Sequence, residues 1–263
     1  MPSDDFVAKY GPWALVAGGS DGLGAAWTEA FAKRGLNVAI VGRRKELVEA
    51  KAKEIENRHG VSTLSIVLDL SESSAPNELV ERVTGIDLGL VVYNAALSPG
   101  GKFEKVEGST IRSAISTNVA TPTLLIHQLI PKLLSRKNAG VILVSSLAGY
   151  AGSSSLSTYG ATKAYLRMLG EALWEENRGS GLDILVTSPG AVTTPGLESR
   201  SDKKIPGQLG PTEIVEMSLA HLGKGPTFVP GGLNQFAAML LGRILPRKAA
   251  TSLMRKSSSG ISS

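Results

Sequence analysis

The chain has 263 residues, of which 42% are hydrophobic, 19% charged and 5% aromatic, a composition that supports one sizeable core and argues against a disordered chain. Cysteine is absent, which excludes disulfides, thiolate nucleophiles and zinc–thiolate sites and fits a reducing, cytoplasmic setting. The net charge of +5 resides in the tail: Glu216 is the last acid, six bases follow it, and residues 1–216 hold 22 bases against 23 acids, so no basic body points to nucleic acid as a partner.

The opening MPSDDFVAKYGP has no apolar core of a secretory signal, and no apolar run reaches the roughly 18 residues of a membrane span. The first apolar run, WALVAG (13–18), is predicted to be a buried strand. It leads into Gly18-Gly19-Ser20-Asp21-Gly22-Leu23-Gly24 and then a helix over 22–34 that stops at Gly35. Glycines between a strand and a helix let the backbone approach a phosphate, with free N–H groups at the helix start facing its charge. The spacing Gly18-x-x-x-Gly22-x-Gly24 differs from the widespread G-x-G-x-x-G form, and the bland alternative is a turn that only packs tightly.

NVAIVG (37–42) is the second predicted strand, followed by Arg43, Arg44 and a helix over 45–58. An acid at this point would bond the ribose hydroxyls of NAD, whereas two guanidinium groups suit the 2′-phosphate of NADP; two solvated bases are the alternative. LSIVLD (64–69) ends in Asp69, which either accepts the adenine amino group or caps the helix predicted over 74–84. LGLVVYN (88–94) is the fourth strand. In the helix predicted over 109–135, Pro122 has no N–H to give the carbonyl of Asn118. That carbonyl is then either free for a water-borne proton path or part of an ordinary proline kink.

VILVSS (141–146) is the fifth strand, and side-chain alternation lets one of Ser145 and Ser146 point into a site at its end. The next helix, over 155–178, carries Tyr159 and Lys163 four residues apart, on one face. A free tyrosine has a pKa near about 10, and a lysine ammonium beside it favours the phenolate needed for proton exchange. Y-x-x-x-K alone is common; its weight comes from a serine able to hold a carbonyl oxygen nearby. LDILVTS (182–188) is the sixth strand. Residues 194–212 read as a loop in lid position, residues 233–256 as an amphipathic tail with five bases and no acid, and the final SSSGISS as disordered. The tail suits either a helix folded over the pocket or a subunit interface, or peripheral contact with anionic lipid; Pro246 breaks any single long helix there. His59, His127 and His221 sit in no metal-ligand spacing, so no metal is expected.

The alternation of strands and helices predicts an α/β fold, a doubly wound parallel β-sheet (Rossmann fold) with helices on both faces, in one domain over 1–263. Over residues 10–195 these motifs together resemble the short-chain dehydrogenase/reductase family. Gly18, Ser20, Asp21, Gly22, Leu23 and Gly24 look like its glycine motif, and Asp69 with Leu70 like its adenine-contact segment. Asn94, Ala95 and Ala96 look like its Asn-Ala-Gly segment, while Pro189, Gly190, Val192 and Thr194 look like the segment that meets the nicotinamide carboxamide. Asn118, Ser146, Tyr159 and Lys163 match its catalytic tetrad; the family spacing selects Ser146, and Tyr159 and Lys163 also touch the cofactor in it. Two departures are Ala17, where threonine is frequent, and Ala96, where glycine is frequent, with altered cofactor fit or stability expected.

The resemblance implies hydride exchange between NADP(H) and a small carbonyl or alcohol substrate, with Tyr159 as general acid and base. It also implies a homodimer or homotetramer through helices 109–135 and 155–178. The opening stretch is similar to the branch of 17β-hydroxysteroid dehydrogenases and long-chain 3-ketoacyl-CoA reductases, which implies a bulky lipophilic ketone, steroid-like or 3-ketoacyl. The alternative reading is a catalytically silent NADP(H)-binding sensor or scaffold.

Overall fold

The computed structural model describes residues 3–193 and 206–258. Seven strands among them form one sheet: β1 (Trp13–Ala17), β2 (Asn37–Gly42), β3 (Thr63–Val67), β4 (Leu88–Tyr93), β5 (Ala139–Val144), β6 (Leu182–Thr187) and β7 (Thr227–Phe228). Their order is β3-β2-β1-β4-β5-β6-β7, and every neighbouring pair is parallel. The six apolar runs of the sequence are the first six strands. The seventh is two residues long and carries no periodic signal.

Continuous apolar strands arise because the sheet is covered on both faces. Leu15 and Ala17 of β1, Val91 and Tyr93 of β4, and Val141 and Leu143 of β5 enter one core cluster, while the residues between them enter the other. The first cluster includes Leu125, Ile126, Leu129 and Leu133 of α6 (Thr121–Leu134). The second includes Trp27 and Phe31 of α2 (Gly22–Ala32), Val48 and Ile55 of α3 (Lys45–His59), and residues of α1 (Ser3–Tyr10). The remaining crossover helices are α4 (Ala75–Arg82), α5 (Gly108–Ile115) and α7 (Ser157–Glu176).

Where one helix is expected over 109–135, a π-helical turn at Ser116–Ala120 joins α5 to α6. Pro122 accounts for this: with no N–H at 122 the regular ladder loses a bond, and the widened turn absorbs it. After β6 come α8 (Pro211–His221), β7, α9 (Gly232–Met239), a second π-helical turn at Leu240–Ile244, and α10 (Arg247–Ser258). The expected lid loop is described only from residue 206 and already becomes helix at Pro211; residues 194–205, Thr194 included, lie outside the described residues. Of the SSSGISS end, Ser257 and Ser258 close α10 and the other five lie outside them.

Sequence reading also passed over α1. Phe6 lies tilted against Tyr10 with ring centres 4.9 Å apart and stacks on Phe31 at 6.4 Å. The Tyr10 hydroxyl donates to Asp183 at 2.6 Å, and Lys9 pairs with the same carboxylate. These contacts tie α1 to the start of β6, at the edge opposite the carboxyl ends of the strands. Phe6→Ala is expected to lower unfolding free energy by about 3 kcal/mol, read by urea denaturation, with turnover per folded molecule unchanged.

Candidate active site

Parallel strands end at one edge, and the chain splits there: β1 is followed by neighbours on one side and β4 begins the other half. The crevice between the ends of β1 and β4 is the ligand position of such sheets. A cleft of about 330 Å³ opens at this edge, lined among others by Gly18, Ser20, Arg43, Asp69, Asn94 and Ala96. Asp21, Arg44, Leu70 and Ala95 also line it.

The turn that floors the cleft needs its glycines for stated reasons. Gly18 has φ +78°, and a Cβ there would lie 2.8 Å from Ala95 Cα. A Cβ on Gly24 would lie 1.7 Å from the Gly18 carbonyl oxygen, so α2 can approach the turn only as glycine. Asn94 holds that carbonyl with Nδ2 at 3.1 Å, and the backbone N–H groups of Asn94 and Ala95 both donate to Ala17 O. Ala17 is itself fully buried, with its carbonyl doubly bonded in this way.

The helix start differs from expectation. The Gly22 N–H donates to Asp21 Oδ1 at 2.8 Å, and the other oxygen of Asp21 pairs with Arg44 at 2.7 Å. One of the N–H groups expected to face a phosphate is thus capped by the chain's own carboxylate, and Arg44 is held by it. Arg43 forms no ion pair with a described residue. Asp69 is not the cap of α4, whose N-cap position is Ser74. It accepts instead from the Ser71 N–H at 2.9 Å and hydroxyl at 2.8 Å. Those two bonds, with a smaller contribution from Arg43, hold its carboxyl below the usual range.

The chemical groups stand at the ends of β5 and on α7. Ser145 points away: its hydroxyl donates to the Lys163 carbonyl at 2.7 Å and is buried. Alternation therefore leaves Ser146, whose Oγ accepts from the Ala148 N–H at 3.2 Å. Burial pushes Tyr159 up and Ser146 acts the other way. Lys163 Nζ lies 5.6 Å from the Tyr159 ring centre and donates to the Val144 carbonyl at 2.7 Å. The side chain is buried without a carboxylate, and this desolvation takes its pKa down to about 7.

Asn118 is fully buried in the π-helical turn. Its side chain bonds both backbone groups of Leu97 at 2.8 Å and donates to Thr162 Oγ1 at 3.0 Å. Thr162 in turn donates to the Tyr159 carbonyl at 2.8 Å. The neighbouring Thr117 carbonyl, which faces the same missing N–H at Pro122 in π geometry, accepts from Tyr93 Oη at 2.6 Å. Thr162 and Leu97 escaped sequence reading; the position of Thr162 between Tyr159 and Lys163 was the available signal. Pro189 accepts from the Leu147 N–H, and Val192 bridges to Leu209. Gly190 packs on Asn234, which a Cβ would meet at 2.7 Å; this residue too escaped notice.

The residues fit a dinucleotide. The glycine floor that any Cβ would fill, the cleft above it, and the exposed Arg43 at its rim provide backbone approach and one unpaired guanidinium. Gly18, Ser20, Arg43, Asp69 and Asn94 would hold it, with Lys163 and Tyr159 toward the reacting end.

A nicotinamide-dependent oxidoreductase is the class this edge defines. The family model for short chain dehydrogenase matches residues 12–205, and the chain belongs to that family. It is 32% identical over 234 residues to a 7β-hydroxysteroid dehydrogenase of Clostridium sardiniense, covering 88% of this chain and 90% of that one. A structure solved in work on 7β-hydroxysteroid dehydrogenase stereoselectivity superposes with a TM-score of 0.90 at 30% identity, over 95% of this chain and 98% of that one. A short-chain dehydrogenase from Sphingobium yanoikuyae in complex with NADPH gives 0.77 at 25% identity, over 84% and 88%. These place the chain near the hydroxysteroid dehydrogenase and ketoacyl reductase branch.

Two outcomes follow from the geometry. Thr162→Val keeps the shape but leaves one of the two Asn118 amide hydrogens without its acceptor, so kcat is expected to fall by about tenfold while Thr162→Ser restores it. Lys163 has a folded pKa below its unfolded one, so its contribution to stability is full above the unfolded value of about 10.4 and is lost as pH falls through about 7. Chemical denaturation of the cofactor-free protein across that window should show this rise with pH, and Lys163→Met should flatten it.

Proposed function

We propose that the chain is an NADP(H)-dependent reductase of bulky lipophilic ketones, steroid-like or 3-ketoacyl, with Tyr159 as general acid and base. The observation that carries this is the convergence of Ser146, Tyr159 and Lys163 beside a cleft whose rim bears Arg43. When held in the cleft, NADPH would supply hydride to a carbonyl carbon. The hydroxyl of Ser146 holds the carbonyl oxygen, and Tyr159 gives it a proton. Desolvation favours the protonated phenol, so at neutral pH Tyr159 is poised as the acid of ketone reduction. Lys163, when charged, stabilises the phenolate left behind.

The cofactor choice rests on Arg43. Arg44 must share its charge with Asp21, whereas Arg43 can meet a 2′-phosphate without breaking a pair. The relative from Sphingobium yanoikuyae bound to NADPH supports the same choice, and the 7β-hydroxysteroid dehydrogenases support the ketone class. The exposed Ile115, Leu124, Tyr165 and Met168 on α5, α6 and α7 suit contact with a second copy. We read residues 1–263 as one Rossmann-type domain.

A panel of steroid, 3-ketoacyl and small ketones assayed with NADPH and with NADH tests the reading. NADPH consumption with bulky ketones is expected, and Tyr159→Phe should abolish it. Arg43→Ala should raise KM for NADPH by about ten- to a hundredfold and leave that for NADH unchanged. Equal use of NADH by the parent protein would overturn the cofactor choice. Tight NADPH binding with no turnover on any ketone would establish the silent sensor instead.

A further inference from the structure

Beyond β7 the chain has a charge and surface pattern that the reaction does not use. No acid follows Glu216. In α9 and the π-helical turn after it, Asn234, Ala238 and Leu241 are buried, while Leu233, Phe236 and Ile244 are exposed by 56%, 53% and 56%. These positions divide cleanly around the helix axis into an inward and an outward face. Arg243 lies on the outward face, exposed and without an ion pair to a described residue.

The inward side of the tail is already occupied. Leu241 and Ala250 pack with Ala151, beside Tyr150, Leu245 and Met254. Arg247 donates to the Tyr150 carbonyl at 3.2 Å, which pins α10 against the segment after β5. Folding of the tail onto the body therefore accounts for one face and leaves the other. Lys248, near the start of α10, is exposed and makes no ion pair with a described residue.

We propose that this outward face, Leu233, Phe236 and Ile244 with Arg243 and Lys248, docks on the surface of an anionic lipid bilayer. Charge complementarity selects the partner. The chain around α5–α7 carries acids as well as bases, Glu104, Glu107 and Glu171 included, whereas the tail carries bases alone. Apolar side chains flanked by unpaired cations are what a helix lying in a lipid interface presents. No described helix is long and apolar enough to cross a membrane, so the contact is peripheral. The inference goes beyond the redox reading and does not depend on it.

Sedimentation of the full chain with vesicles of phosphatidylcholine alone, and with phosphatidylcholine mixed with phosphatidylglycerol, tests it at low and high salt. Binding is expected with the mixed vesicles at low salt, with release at high salt and none to the neutral vesicles. Arg243→Gln with Lys248→Gln should weaken partitioning by about 25-fold. Phe236→Ser should weaken it by about tenfold or more. Both variants should keep the melting temperature and the NADPH affinity of the parent, which separates lost docking from lost folding. Failure of the parent to sediment at low salt overturns the proposal, as does binding that both variants retain. A concentration-dependent dimer that Phe236→Ser dissociates would give the face to a second copy and overturn it as well.

Discussion

Seven strands that run the same way must all end at the same edge. That constraint organises everything functional in this chain. Gly18, Arg43, Asp69, Asn94, Ser146 and Pro189 follow β1 to β6 in turn, so six connections separated by tens of residues meet along one line. Burial on both faces makes the centre of the arrangement rigid, because β1, β2, β4, β5 and β6 are each locked by side chains alternating into two cores. The reversal of strand order between β1 and β4 then leaves a crevice at the carboxyl edge.

Polar groups at this edge are held mainly by backbone, and this sets their chemistry. Lys163 is buried with the Val144 carbonyl as its hydrogen-bond partner and no carboxylate, which disfavours its charge. Ser145, one residue from Ser146, is consumed in bonding the carbonyl of Lys163 and so fixes the helix that carries Tyr159 against β5. Asn118 and Thr162 link that helix to the segment after β4 through an amide whose donors and acceptor are all used. The π-helical turn exists because Pro122 withholds an N–H, and Tyr93 takes up the Thr117 carbonyl from the floor of the sheet.

The tail follows a different logic. Pro246 separates α9 from α10, as its missing N–H and fixed φ demand. Packing of Leu241 and Ala250 near Tyr150 brings the last helix beside the segment that carries Ser146. The basic charge of the protein is concentrated on this attachment rather than on the catalytic body.

Local pattern determined the first six strands, the main crossover helices and the glycine turn, since apolar runs and helical periods are read from neighbouring residues alone. It also reduced the serine choice to two candidates and put Tyr159 and Lys163 on one helical face. It did not determine α1, whose Phe6 and Tyr10 matter only through Phe31 and Asp183, nor β7, which pairs over two residues. Only the tertiary structure could commit Asp21 to Arg44 and leave Arg43 without an ion pair among the described residues, whereas the bonds of Asp69 to Ser71 and of Asp21 to Gly22 join near neighbours in the chain. The spacing of Asn118, Thr162 and Leu97 in the chain conceals their contact for the same reason. A side chain's hydrogen-bond partner is chosen by what folding brings within about 3 Å, and residues far apart in the chain carry no local sign of it.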